Sequence, residues 1–124
     1  MSNYTFNTKY ITKTPDVLID VIKTKLNEDG FFLGIGHGKE FKVNRISPVA
    51  IYFTGVDRAQ GKQEDLNIED LKAGVEELKK LHEFNTNTAL LKERISSVLY
   101  RKRTPLFGVL THCEIIVVVE NEKA

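Results

Sequence analysis

The chain reads as an α+β domain, a largely antiparallel sheet with helices packed on one face, and three observations predict it. Between Asp29 and Asp57, aromatic and β-branched residues alternate with glycines and a proline, as in short strands joined by tight turns. Two other stretches, 15–28 and 68–83, carry apolar residues at helical spacing behind good N-caps. Ile115 to Val119 then places five β-branched residues in a row, poor helix formers and good strand formers. The predicted order is β-α-β-β-β-α-α-β.

Each element has a local reason. Residues 4–11 alternate Tyr4, Phe6, Thr8 and Tyr10 with Thr5, Asn7, Lys9 and Ile11, the period of two expected of a half-buried first strand. Thr14-Pro15-Asp16 starts a helix, with Thr14 as cap, proline where its missing N–H costs nothing and an acid at the positive end of the dipole. Val17, Leu18, Val21, Ile22 and Leu26 give that helix one stripe, and Gly30 ends it. Phe31 to Ile35 is a short apolar strand, Gly36 to Lys39 turns the chain, and Phe41 and Val43 begin a second strand. Ser47-Pro48 breaks it before a third, Val49 to Phe53, so this stretch reads as a three-stranded meander.

Residues 54–66 are polar, glycine-punctuated and without periodicity, and read as a long loop of the kind that often carries function. Asn67 caps the next helix over 68–83, with Leu71, Val75 and Leu78 inward. A further helix is expected over 88–103, its core face Leu91, Ile95, Val98 and Leu99. Thr104-Pro105 again suits a helix start, so 106–114 reads either as a short helix or as part of a long final strand. Residues 115–119 are a strand on both readings.

At 124 residues and 14.1 kDa one domain, 1–124, is expected. A formal net charge of only +1 argues against a surface built wholly to neutralise phosphates or anionic lipid, so such a role needs a local patch. The single cysteine, Cys113, excludes an intramolecular disulfide and a multi-cysteine zinc site, and points to the cytoplasm. No stretch approaches the roughly 18 apolar residues of a membrane span, so no membrane partner is expected.

Motifs for chemistry are weak. Gly34-Ile35-Gly36-His37-Gly38-Lys39 has neither phosphate-loop nor dinucleotide spacing, and a strand rather than a helix follows it, so its glycines serve a turn with His37 at the tip. His37, His82, His112, Cys113 and Glu114 include metal-ligand and nucleophile residue types without the spacing of either site. No catalytic residue, metal or cofactor is therefore assigned.

The basic stretch is different: Lys92, Arg94, Arg101, Lys102 and Arg103 oppose only Glu93. On one helix Arg94 and Arg101 would lie two turns apart on one side, able to grip a phosphate or carboxylate. Tyr100 beside them, and Tyr52, Phe53, Arg58 and Gln60 about the long loop, add aromatic faces and polar tips. The expected ligand-binding set is Arg94, Arg101, Arg103, Tyr100, Arg58, His37 and Lys39. The expected function is a non-enzymatic binding protein holding a small anionic, nucleotide-like ligand or a protein partner. A DNA- or RNA-binding regulator using the basic helix 88–103 is the alternative, and an enzyme using His37 or His112 ranks third. The apolar strand 115–119 needs covering, so a homo-oligomer is expected.

Overall fold

The computed structural model describes residues 2–35, 39–56 and 61–119. It is an α+β structure with one four-stranded antiparallel sheet and a separate two-stranded one. Along the chain run β1 (Tyr4–Phe6), α1 (Pro15–Asp29), β2 (Phe31–Leu33), β3 (Glu40–Ile46), β4 (Ala50–Gly55), β5 (Gln63–Asn67), α2 (Ile68–Lys79), α3 (Leu91–Arg94), α4 (Ser97–Arg101), α5 (Arg103–His112) and β6 (Ile116–Val118).

The main sheet has the order β2-β3-β4-β5. Phe32 faces Phe41, Val43 faces Phe53, and Ile51 faces Leu66 across its strands, so one face is apolar and packs beneath α1, α2 and α5. Leu18, Ile22 and Leu26 of α1, Leu71, Val75 and Leu78 of α2, and Leu106, Phe107 and Leu110 of α5 complete this core. Phe32, Phe41 and Phe53 meet ring to ring at 5.0–5.6 Å. The other face, formed on β3, β4 and β5 by Lys42, Arg45, Tyr52, Thr54, Gln63 and Asp65, is polar, with Lys42, Arg45 and Gln63 exposed.

Several expectations need correction. The first strand stops at Phe6 because Asn7 turns the chain: its Oδ1 accepts from Lys9 N–H at 3.0 Å and its Nδ2 donates to Glu114 O at 2.8 Å. The loop predicted over 54–66 contains β5, which pairs residue for residue with β4 from Ala50–Asn67 to Thr54–Gln63. Gln63-Glu64-Asp65-Leu66-Asn67 escaped a period-two reading because only Leu66 faces the core fully. The sheet is therefore four strands, not a meander of three.

The single helix expected over 88–103 is two short helices. Ile95 and Ser96 are extended, and Ser96 Oγ accepts from Leu99 N–H at 3.0 Å, a cap that starts α4 afresh. The open choice over 106–114 resolves as helix, since α5 runs from Arg103 to His112 with Pro105 in its first turn. It ends in a Schellman turn: Ile115 N–H returns to Leu110 O at 2.9 Å and Glu114 N–H to Thr111 O at 3.0 Å. Glu114 takes the left-handed position at φ 60°, where glycine is usual. The final strand β6 joins β1, not the main sheet, and Phe84 bridges the other side of Tyr4.

Candidate functional site

The expected ligand residues do not converge as a group. Arg94, at the end of α3, turns to Glu77 of α2 at 3.3 Å, which also holds Lys80 at 2.8 Å. The Glu77 carboxyl lies below its ordinary range, through the Lys80 hydrogen bond first and Arg94 less. With Ile95-Ser96 extended between them, Arg94 and Arg101 are not two turns apart on one helix face. Lys39 sits at the β2–β3 turn, where its carbonyl accepts from Gly34 N–H at 2.6 Å; among the described residues no hydrogen bond or ion pair joins it to the arginines. Arg58, His37 and Gln60 lie outside the described residues.

Arg101, Arg103 and Tyr100 do come together, at the joint where α4 meets α5. Arg103 lies 3.9 Å over the Tyr100 ring and donates to Tyr100 O at 3.1 Å. Arg101 is exposed and anchored only by Nε to Ser97 O at 3.3 Å, with no carboxylate partner among the described residues. Between them Lys102 reaches away to the edge strand β5, donating to Asp65 O at 2.5 Å and Asp65 Oδ1 at 3.2 Å. That link ties the joint to the polar face of the sheet.

On that face one row crosses three strands. Arg45 of β3 pairs with Tyr52 of β4, which pairs with Asp65 of β5. The Arg45 guanidinium lies 4.5 Å over the Tyr52 ring. Asn44, at an irregularity in β3, donates to Thr54 Oγ1 at 2.7 Å and Gln63 Oε1 at 3.2 Å, a polar ladder beside the row. Arg45 and Asn44 were missed in the sequence because β5 was read as loop. The available signal was the set of alternate residues between the buried Phe41, Ile51 and Phe53.

Charge is divided between the two sides of the sheet. Helix α1 carries Asp16, Asp20, Glu28 and Asp29 against Lys23 and Lys25, and α2 carries Glu69, Asp70, Glu76 and Glu77 against Lys72 and Lys79. On the open face Lys42 and Arg45 stand against Glu40 and Asp65, so the cationic excess lies at the joint, in Arg101, Lys102 and Arg103, where α4 packs beside α2. A near-neutral total thus conceals two acidic helices, α1 and α2, and a short basic joint.

His112 and Cys113 are held by pairing and by burial. His112 Nε2 meets Asp29 Oδ2 at 2.7 Å, joining the end of α5 to the end of α1, with Lys25 at 3.3 Å from the same carboxylate. The His112 hydrogen bond holds the Asp29 carboxyl below its ordinary range, and Lys25 adds to the effect. The Cys113 thiol is buried and pushed up to about 12 by desolvation, which keeps it protonated and unsuited to nucleophilic attack. Among the described residues no group of His, Cys, Asp and Glu could hold a metal, and no helix is long and apolar enough to cross a membrane.

Comparison with protein-family models, curated proteins and solved structures gives no match.

Proposed function

We propose that this chain is a non-enzymatic binding protein that takes an anionic, nucleotide-like ligand on its basic side. The observation that carries the reading is the pair of arginine–tyrosine stacks, Arg45 on Tyr52 and Arg103 on Tyr100, joined through Asp65 and Lys102. A guanidinium held over a ring is already positioned, so it loses little freedom when a phosphate or a base meets it. Arg101, exposed beside one stack, supplies a fork with no carboxylate competitor among the described residues. The protonated, buried Cys113 suits a reducing compartment such as the cytoplasm. The expectation of self-association rests on the apolar strand 115–119, of which Ile115 and Ile116 are buried within the chain and Val118 is 51% exposed; light scattering at high micromolar concentration tests it, a monomer refuting it.

A duplex-reading regulator built on residues 88–103 loses its support, because the cap at Ser96 leaves no continuous basic helix to enter a groove. The test of the proposed function is calorimetric titration of mononucleotides and cyclic dinucleotides into wild type, Arg101→Ala and Arg101→Lys, beside melting curves of each. Arg101→Ala is expected to cost about 1.5–3 kcal/mol of binding with an unchanged melting point, and lysine to rescue it only in part. Equal binding in all three proteins would overturn the assignment of Arg101.

A further inference from the structure

The ligand class can be taken further by asking how far apart the two stacks stand. Arg45 and Asp65 are separated by two strand spacings, roughly 10 Å, and the Lys102 side chain adds its own length before the joint is reached. The two stacks therefore present two platforms along a surface rather than two walls of one pocket. Beside the row of Arg45, Tyr52 and Asp65 the groups are polar and mixed, Asn44, Thr54 and Gln63, with Lys42 alongside. The polar face of this antiparallel sheet, with Lys42, Asn44, Arg45 and Gln63 exposed, offers a surface to an extended chain.

We infer that the ligand is a single-stranded polynucleotide lying across β3, β4 and β5 onto the α4–α5 joint, a reading that rests on the proposed function. Three features favour it over one small anion. Stacking platforms suit unpaired bases, which present π-faces whatever their identity, whereas duplex bases are already stacked. The cations are spread along the surface, as a chain of phosphates needs, instead of converging on one point. Acidic α1 and α2 lie on the far side of the sheet and repel a polyanion from that side, while the cationic excess of Arg101, Lys102 and Arg103 draws it to the joint.

Fluorescence anisotropy on the full chain tests this, using labelled oligothymidylate and oligouridylate of about twelve nucleotides, a duplex of equal length, and the corresponding mononucleotides as competitors. The oligomer is expected to bind at least about tenfold tighter than the mononucleotide and than the duplex, with affinity falling steeply between about 50 and 200 mM salt. Arg45→Gln is expected to reduce the salt slope by roughly 0.7, and Tyr52→Ala or Tyr100→Ala to weaken binding at least about fivefold. Lys72→Gln, in the acidic layer, should change neither. The thymidylate and uridylate arms report whether a 2′-hydroxyl is read. Melting curves accompany each variant, and the exposed Arg45→Gln decides the matter should a tyrosine variant fail to fold. Mononucleotide binding as tight as the oligomer's would overturn this inference and leave the proposed function standing. Duplex binding as tight as the single strand's, or binding indifferent to Arg45→Gln and Tyr100→Ala, would also overturn it. Absence of any nucleotide or oligomer binding would overturn both.

Discussion

The two sides of the main sheet are built from alternate residues of the same strands, yet they follow different rules. Toward α1, α2 and α5 the side chains are Phe32, Phe41, Ile51, Phe53 and Leu66, packed until almost nothing is exposed. Toward solvent they are Lys42, Arg45, Tyr52, Thr54, Gln63 and Asp65, arranged by cation–aromatic contact and hydrogen bonds. Stability comes from the first set because apolar burial there is complete. The second set can be changed at little cost to the fold, and so is free to serve binding. Net charge is a poor guide to either side: +1 overall conceals two acidic helices and a basic joint beside them.

Neighbouring residues of β4 test the division most strongly. Phe53→Ala removes a fully buried ring and is expected to cost about 3–5 kcal/mol, whereas Tyr52→Ala, on the open face, should cost about 1 kcal/mol or less while weakening ligand binding. Urea denaturation of both variants, with the binding assay on Tyr52→Ala, checks the pair. Similar stability losses in the two would break the comparison.

Helix caps offer a second contrast. Ser96 caps α4 at the joint and Thr14 caps α1 in the acidic layer, each accepting from the N–H three residues on, at 3.0 and 3.3 Å. Ser96→Ala and Thr14→Ala should each cost about 1 kcal/mol. Only the former should also weaken binding, since it frees the segment that places Arg101 and Arg103. Equal binding by both variants would show that the joint is not part of the site.

Glu114 sharpens the comparison from the other side. Its left-handed backbone at φ 60° favours glycine, and it lies beside the His112–Asp29 link rather than beside the stacks. Glu114→Gly is expected to raise stability by about 0.5–1 kcal/mol without changing nucleotide affinity, as melting curves and titration would report.

The smallest effect is an acid limb. Because the Asp29 carboxyl is depressed when folded, its contribution is complete above the ordinary carboxylate value of 3.8 and is lost as pH falls through the lower folded value. Asp29→Asn should flatten that part of the stability profile in acid denaturation followed by circular dichroism. An unchanged profile would mean that the link between α1 and α5 does not stabilise the fold.

How much of this was legible in the sequence depended on how each residue was fixed. Helix α1 was readable because Thr14, Pro15 and Gly30 mark both its ends locally. Strand β5 was not, because its polar residues become strand only by pairing with Ala50–Thr54, a tertiary cause. The break at Ile95-Ser96 was missed because Leu91, Ile95 and Leu99 keep helical spacing and are all buried, while the cap that interrupts them rests on one hydroxyl. Arg101, Arg103 and Tyr100 were legible as a cluster since they are neighbours in sequence. Arg45 and the Asp65–Lys102 link were not, because strand register and a long-range contact bring them into line.

The division between the two sides is tested most directly by amide chemical-shift mapping of the isotope-labelled protein titrated with oligothymidylate. The expected result is perturbation confined to residues 40–54, 63–66 and 97–103, with the amides of α1 and α2 unmoved. Perturbation centred on residues 15–29 and 68–79 would contradict it.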